Sequence, residues 1–261
     1  MLGLLLVHDP LGFETTGADL VAYFREALAA RIAGEVLRVR RIRHTLTTDI
    51  PEGDPLEAYR AASRPFPVGR RFWIEPGESE PGPAPEGRIG LRVPASRAFG
   101  TGTHASTRLA LAALEDEKLE GRDVLDVGTG SGVLALAAAG LGARRAVGLD
   151  TDLDAVIVAR ENVRRHAFGE RVRLYAGPLQ GCSGRFDLVV ANMLADEILP
   201  EARRLQARAG RTGRMLLSGV TREREEAVLS KLRTGRWKLT ARRTEDEWIS
   251  LSLERASSSS R

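Results

Sequence analysis

The sequence predicts an α/β protein whose helices cover both faces of a mostly parallel β-sheet. From residue 104 onward, short apolar runs alternate with segments of helical periodicity, as repeated βα units do. A strand at 124–127 is followed by a glycine turn, an Ala-rich helix, a second strand and Asp150, which is the order of a nucleoside-binding βαβ unit. The chain closes on two strands joined by a tight turn, so the last strand should run antiparallel.

This alternating region contains seven predicted strands and five predicted helices, which together indicate a Rossmann-like sheet. The strands are expected at 124–127, 146–149, 172–175, 186–190, 214–218, 237–242 and 248–253. The helices are expected at 104–117, 132–141, 154–166, 196–208 and 222–233.

The front of the chain predicts a second, smaller unit. Residues 1–53 form a small α+β domain, residues 54–97 a linker with strands at 68–75 and 89–93, residues 98–255 the main domain, and residues 256–261 a disordered tail. Within the small domain we expect a helix fragment at 2–8, a hairpin between residues 12 and 24, a helix at 26–33 and an alternating strand at 37–42.

The composition predicts a globular protein of a reducing cytoplasm. No apolar run approaches the length of a membrane span, and Cys182 is the only cysteine. No cluster of His, Cys and Asp predicts a metal site. The net charge is +4, and only three of the basic residues are lysines, so arginine supplies nearly all the positive charge. Arginine suits RNA or acidic partners, but biased codon usage in the source genome accounts for the same composition.

The glycine turn indicates a particular ligand. Gly128, Gly130 and Gly132 have the spacing G-x-G-x-G, not the G-x-G-x-x-G of a dinucleotide site, and Asp126 precedes them by two residues. A carboxylate there would repel a pyrophosphate but suits the ammonium and sulfonium groups of S-adenosylmethionine. The closing antiparallel strand favours the same reading, because methyltransferase sheets end in this way. The alternative is a glycine turn in some other α/β protein.

Two further motifs predict the rest of a site. The loop containing Phe99, Gly100, Thr101, Gly102 and His104 runs directly into a helix. We interpret it as a lid over the cofactor, which Thr107 would contact; a flexible entry with Thr103 as a helix cap is the alternative.

Asn192 stands at the carboxyl end of a predicted strand, where ligands bind in such sheets. Its carbonyl oxygen can accept a hydrogen bond from a substrate amine. Together with the backbone carbonyl of Met193, it would hold a neutral amine in near-attack geometry for in-line displacement at a sulfonium. The alternative is a simple turn asparagine.

At these residues the chain resembles the ribosomal protein L-eleven methyltransferase family. The resemblance lies in the segments 99–104, 106–109, 125–135, 148–150 and 190–195. It implies a class I methyltransferase fold with a ferredoxin-like amino-terminal domain, whose first strand we expect to be missing here. It also implies S-adenosylmethionine contacts at Thr107, Gly128, Asp150 and Asn192.

The resemblance further implies methylation of amino groups, on lysine side chains or the N-terminus, of ribosomal protein L-eleven. We expect a monomer that uses neither a membrane nor sequence-specific nucleic acid. Two alternatives stay open. One is a related methyltransferase acting on another protein lysine or a small molecule. The other is a non-catalytic, RNA-associated binding protein with a vestigial nucleoside pocket.

Overall fold

The computed structural model describes residues 10–16, 19–24, 27–39, 42–45, 64–77, 83–94, 100, 102–233 and 237–255. The chain divides into two compact units, Met1–Pro55 and Leu56–Arg261. Among the described residues, no helix combines the length and the apolarity that crossing a bilayer requires.

The described part of the first unit is a hairpin followed by a helix. Strands β1 (Pro10–Thr16) and β2 (Asp19–Phe24) pair antiparallel, as predicted. Helix α1 (Ala27–Val39) follows. The predicted strand at 37–42 is wrong, because the helix continues through Val39. The Val39 side chain is 73% exposed, so this apolar position of the apolar–basic alternation is not buried as it would be in a half-exposed strand. The predicted helix fragment at 2–8 lies outside the described residues.

The second unit contains a seven-stranded sheet in the order β11-β12-β10-β9-β6-β7-β8. Its strands are β6 (Asp123–Val127), β7 (Arg145–Asp150), β8 (Val172–Ala176), β9 (Phe186–Asn192), β10 (Ala209–Thr221), β11 (Trp237–Glu245) and β12 (Trp248–Arg255). Strands β8, β7, β6, β9 and β10 are mutually parallel, and β12 runs antiparallel to both of its neighbours. The predicted sheet and its antiparallel last strand are confirmed.

Five α-helices of the second unit cover this sheet. They are α2 (Ala105–Leu114), α3 (Val133–Gly140), α4 (Leu153–Arg164), α5 (Ala195–Arg208) and α6 (Glu225–Arg233). A smaller sheet is formed by β3 (Phe66–Val68), β4 (Phe72–Glu75) and β5 (Ile89–Arg92). The single strand predicted at 68–75 is therefore two strands, because Gly69, at φ 56°, turns the chain between them.

The core consists of two apolar layers, one on each face of the large sheet. Val124, Val190 and Leu216 point to one layer, which also contains α2, α3 and the small sheet. Leu125, Val189 and Met215, their chain neighbours, point to the other layer. Because side chains alternate along a strand, the face of every strand residue follows from these positions. Each fully buried leucine in these layers stabilises the fold by roughly 2 kcal/mol.

Candidate functional site

Polar side chains gather on one face of the sheet, at the carboxyl ends of four neighbouring parallel strands. Asp126 of β6 pairs in register with Val190 of β9, so it points to the same side as Val124 and Val190. By the same alternation, Asp150 of β7 and Asn192 of β9 lie on this face. Ser218 of β10 pairs directly with Asn192. The carboxyl edge of an open α/β sheet is where ligands bind.

The glycine loop that follows β6 brings backbone close to this edge. Gly128, Gly130 and Gly132 have φ values of 69°, 52° and 82°, which other residues rarely adopt. A Cβ on Gly128 would lie 3.0 Å from Cγ of Met193, and one on Gly132 would lie 3.1 Å from Cβ of Ala159. The loop therefore needs glycine both for its conformation and for the space that it leaves.

Asp126 is a buried carboxyl group with one oxygen to spare. Its Oδ2 accepts hydrogen bonds from the Thr129 hydroxyl (2.6 Å) and the Ala135 N–H (3.2 Å). Its Oδ1 is buried and has no hydrogen-bond partner among the described residues. Burial raises the pKa of Asp126 to about 7, the negative charge of Asp150 adds to the rise, and the two hydrogen bonds oppose it. A cationic ligand group facing Oδ1 would stabilise the charged form.

Asp150 ends β7 beside the glycine loop. Its Oδ2 accepts a hydrogen bond from the Gly130 N–H (2.9 Å), and its Oδ1 accepts one from the Asp152 N–H (3.0 Å). An acid in this place, after the second strand of a βαβ unit, is the group that binds ribose hydroxyls in nucleoside sites. The carboxylate is only partly buried, so it can still accept further hydrogen bonds.

Asn192 and Thr107, which are 85 residues apart in the chain, meet at this edge. The Asn192 amide donates from Nδ2 to Oγ1 of Thr107 at 3.2 Å. With Nδ2 facing Thr107, the Oδ1 atom of Asn192 is buried and without a partner among the described residues. Thr107 itself is fully buried. In this orientation the amide leaves one acceptor oxygen without a hydrogen bond among the described residues.

Ser218 and Gly219, near the carboxyl end of β10, contact the residues around Asn192. The buried Ser218 hydroxyl donates to the carbonyl of Ser106 (2.8 Å), and its carbonyl accepts the Met193 N–H (3.1 Å). Gly219 has φ 79°, and a Cβ there would lie only 2.5 Å from the Met193 carbonyl oxygen. The chain after Asn192 is therefore packed directly against β10. Sequence reasoning missed Ser218, although its place at the end of a predicted strand was a usable signal.

The described part of the predicted lid packs on the glycine loop. Ser131 of that loop donates from its hydroxyl to the Gly100 carbonyl at 2.7 Å. Gly102, at φ 87°, lies so close to Ile74 of β4 that a Cβ would be 2.9 Å from it. Phe99 and Thr101, which were predicted to belong to the lid, lie outside the described residues.

His104, not Thr103, caps helix α2. Its Nδ1 accepts a hydrogen bond from the Ser106 N–H at 3.2 Å. Its ring packs edge-on against Trp248, with 4.9 Å between centroids. Burial and the nearby Arg108 guanidinium lower the pKa of His104, while Glu247 and Glu245 oppose the shift. The neutral imidazole that capping requires is therefore favoured.

Two long-range contacts around the site were not predicted. Arg108 donates to the Thr103 carbonyl and forms an ion pair with Glu245, which joins the base of the lid to the closing hairpin. Asn162, buried on α4, donates from Nδ2 to the Ser131 carbonyl (2.9 Å) and so holds the glycine loop from below. No spacing rule connects these partners, so the sequence carried no signal for them.

Comparison with known proteins decides between the families that such an edge could serve. The family described as ribosomal protein L11 methyltransferase (PrmA) matches residues 13–256. The chain belongs to this family. A relative from Geobacter metallireducens, named ribosomal protein L11 methyltransferase, is 42% identical over 207 residues, which cover 79% of this chain and 68% of that protein. A relative of the same name from Exiguobacterium is 35% identical over 256 residues, covering 94% of this chain and 82% of that protein.

Solved structures agree with this assignment to the PrmA family. The crystal structure of the ribosomal protein L11 methylase from Lactobacillus delbrueckii subsp. bulgaricus matches with a TM-score of 0.67 and 28% sequence identity, covering 74% of this chain and 99% of that one. The chain is thus a class I methyltransferase, and its methyl donor is S-adenosylmethionine. The resemblance and the cofactor predicted from the sequence are confirmed.

The residues of this PrmA-family site fit that cofactor. A ligand with an ammonium group matches the unpaired Oδ1 of Asp126, and a ribose matches Asp150 at the end of β7. The missing Cβ of Gly128 leaves room for the Met193 side chain, and the positive φ of the three glycines keeps the loop backbone close to the strand ends. Among the described residues, no three His, Cys, Asp or Glu side chains come close enough together to hold a metal ion.

Proposed function

We propose that this protein transfers methyl groups from S-adenosylmethionine to amino groups of ribosomal protein L11, on lysine side chains, the N-terminus or both. One observation carries the proposal: two buried acceptor oxygens, Oδ1 of Asp126 and Oδ1 of Asn192, share one face of the sheet and have no partner among the described residues. A buried acceptor without a partner costs about 1–3 kcal/mol, so its retention at a ligand edge indicates a hydrogen-bond donor in the bound state. The names of the relatives indicate the protein substrate.

The cofactor is held by side chains on β6 and β7 together with the loop between β6 and α3. Asp126 accepts from the ammonium group of its methionine part, Asp150 accepts from the ribose hydroxyls, and the backbone of Gly128, Gly130 and Gly132 lets the ligand approach closely. Thr107 lines the same edge. When bound, S-adenosylmethionine supplies a methyl group carried on a sulfonium.

The acceptor amine is held on the other side of the site, by groups that only accept hydrogen bonds. Oδ1 of Asn192 and the backbone carbonyl of Met193 receive the N–H groups of a neutral amine and so direct its lone pair away from themselves. Asn192 cannot take a proton, so the ammonium form of the substrate loses its proton to water before it is held. Orientation, rather than acid–base catalysis, is therefore the contribution of these residues.

Burial around Asn192 gives this orientation its precision. Thr107 fixes the amide plane through its bond to Nδ2 (3.2 Å). Ser218 holds the chain neighbours of both residues, because it forms hydrogen bonds with Met193, next to Asn192, and with Ser106, next to Thr107. A side chain fixed in this way loses little entropy when the amine binds. We also propose that the protein acts in the cytoplasm, since its one thiol requires no oxidising compartment.

A methylation assay with purified ribosomal protein L11 and radiolabelled S-adenosylmethionine tests the proposal. At saturating S-adenosylmethionine we expect Asn192→Ala to lower kcat by about a hundredfold, because a misplaced reactant costs a factor of this size. Blocking the N-terminal amine of the substrate, and separately replacing its lysines by arginine, identifies the methylated groups. The proposal fails if whole-cell extract without L11 is methylated at the same rate as with it.

Cofactor binding is measured separately, by calorimetry with wild type and Asp150→Ala. Loss of a ribose contact should weaken binding by about 2 kcal/mol, or roughly thirtyfold. A wild-type protein that does not bind S-adenosylmethionine would contradict the enzymatic assignment and favour a binding protein with a vestigial pocket.

A further inference from the structure

An arginine marks the start of every parallel strand in the large sheet. Arg171 immediately precedes β8, Arg145 begins β7, Arg122 precedes β6, Arg185 precedes β9 and Arg208 precedes β10. These strands are neighbours in the order β10-β9-β6-β7-β8 and run in the same direction. The arginines therefore line one edge of the sheet, opposite to the edge that carries Asp126 and Asn192. With Arg144 and Arg173, which flank the same strand starts, we call this set the arginine edge.

The carboxylates nearby neutralise only part of this charge. Asp123 pairs with both Arg144 (3.0 Å) and Arg145 (2.7 Å), and Asp187 pairs with Arg122 (3.2 Å). Two further acids, Glu120 and Glu170, lie beside these strand starts, so in the described part of the chain seven guanidinium groups accompany four carboxylates.

Four members of the arginine edge form no ion pair with any described residue. The guanidinium groups of Arg173, Arg185 and Arg208 donate only to backbone carbonyl oxygens, and that of Arg171 has no hydrogen-bond partner in the described part of the chain. An unpaired guanidinium keeps its donors available, and its planar fork matches two oxygens of a phosphate.

The arginine edge is also concave. A depression of about 560 Å³ lies at the β7–β8 end of the edge, and it is lined by Asp123, Arg144, Arg145, Glu170, Arg171 and Arg173. The cavity lined by Leu194, Gly219 and Thr221 on the opposite edge is smaller, about 240 Å³. A concave surface lined by several cations concentrates anions more strongly than a flat one does.

The geometry points to a docking surface for the phosphate backbone of a nucleic acid, bound without reading its sequence. Five neighbouring strands about 4.8 Å apart spread the guanidinium groups over roughly 20 Å. This suits a polymer with a charge at every few ångströms. Phe186, which lies under Arg145 at 5.9 Å, is buried, so stacking on a base is not available there. Contacts to phosphate alone carry no sequence information.

The surface goes beyond the methyl transfer proposed above and does not depend on it. The arginine edge lies at the amino ends of the strands and the cofactor residues lie at their carboxyl ends, so a bound nucleic acid leaves the methylation site open. The two can therefore be altered independently.

Fluorescence anisotropy with two labelled single-stranded RNA 20-mers of unrelated sequence, titrated with the full chain at several salt concentrations, tests this surface. If the four unpaired arginines each contact one phosphate, affinity falls roughly fiftyfold between 50 and 200 mM salt, by the slope of about −0.7 per contact known for single strands. For Arg171→Gln/Arg173→Gln, with about two contacts left, the fall shrinks to roughly sevenfold. Both RNAs should give the same values.

The matched control is Arg160→Gln/Arg203→Gln. These two arginines are exposed in the middle of α4 and α5, away from the strand starts. Their substitution removes the same total charge as the test variant. They should leave the salt dependence at the wild-type value. Methylation of purified ribosomal protein L11 should be unchanged in both double variants.

Three results would overturn the proposal. One is RNA binding that does not depend on salt. Another is an equal loss of salt dependence in the control, which would mean that only net charge matters. The third is binding of a polyglutamate peptide of the same length as tightly as RNA, which would assign the surface to acidic proteins.

Discussion

Replacing Asp126 by asparagine tests two effects of its buried charge: the loss of folding stability and the gain in cofactor binding. The asparagine oxygen can accept both hydrogen bonds that Oδ2 now accepts, from Thr129 (2.6 Å) and Ala135 (3.2 Å). Its NH₂ group then occupies the place of the unpaired Oδ1. Shape and internal hydrogen bonds are retained, and only the charge is lost.

The pKa of Asp126 gives the expected size and sign of the effect. Burial raises this pKa from 3.8 to about 7, and a shift of about three units corresponds to roughly 4 kcal/mol. A carboxyl whose pKa is higher in the folded state binds more protons when folded. It therefore has no effect on stability below the unfolded pKa, destabilises the fold progressively as pH rises toward the folded pKa, and has a constant effect above it. At about pH 8 we expect Asp126→Asn to be more stable than wild type by as much as roughly 4 kcal/mol.

Urea unfolding of both proteins between about pH 4 and pH 8 measures this gap. Calorimetry at about pH 8 should show S-adenosylmethionine binding weakened by about 2 kcal/mol, or thirtyfold, because an amide NH₂ now faces the ammonium group. Wild-type affinity should also fall as pH drops below the pKa of Asp126. Glu161→Gln, which removes an exposed charge on α4, is the control and should change neither quantity. A stability gap that is the same at every pH, or a variant that binds the cofactor as tightly as wild type, would refute the reasoning.

Three further changes test the rest of the site. Gly219→Ala should cost more stability than Gly87→Ala, because the two glycines have nearly the same φ (79° and 78°) but a Cβ on Gly87 would have nothing within 4 Å. Only Gly219→Ala should slow methylation, because it displaces the Met193 carbonyl. Equal effects of the two variants in unfolding and in the assay would contradict this. Because the pKa of His104 is lowered in the folded state, its contribution to the free energy of unfolding is fully present above its ordinary pKa of about 6.5 and falls as pH drops through that value. His104→Asn, which keeps a capping acceptor, should abolish this part of the pH dependence in thermal unfolding. A double-mutant cycle of Arg108→Gln and Glu245→Gln should give a coupling of about 1 kcal/mol in unfolding, and additive effects would show that the pair does not hold the base of the lid.

Much of the site could be predicted because its residues follow from local rules. A polar residue at the end of a buried strand lies at the ligand edge, which places Asp150 and Asn192 correctly in the sheet. The glycine spacing predicted a turn, and all three glycines adopt positive φ. The strand predicted at 37–42 was wrong because a local pattern was used without knowledge of burial. Alternation along a short segment predicts a strand only if one face is buried, and Val39 is exposed in a helix.

Other features of the site could not be predicted, because they depend on distances between residues far apart in the chain. Ser218 reaches the carbonyl of Ser106 across 112 positions, and Arg108 reaches Glu245 across 137. Such pairs depend on strand register and helix placement, which the local patterns of a single sequence do not predict. The roles of the site residues in binding and transfer stay predictions until the variants are measured.

Period and residue type along the chain were enough to predict the α/β class, the seven strands with their antiparallel end, and the strand ends at which Asp150 and Asn192 lie. These are local properties, since backbone conformation and side-chain alternation are set within a few residues. Tertiary packing alone decided that the Asp126 pKa rises to about 7. It also decided that one oxygen of Asp126, one of Asn192 and four arginines at the opposite edge find no hydrogen-bonding or ion-pair partner of the expected kind among the described residues. Burial and pairing are properties of the space around a group, and that space is filled by residues from distant parts of the sequence.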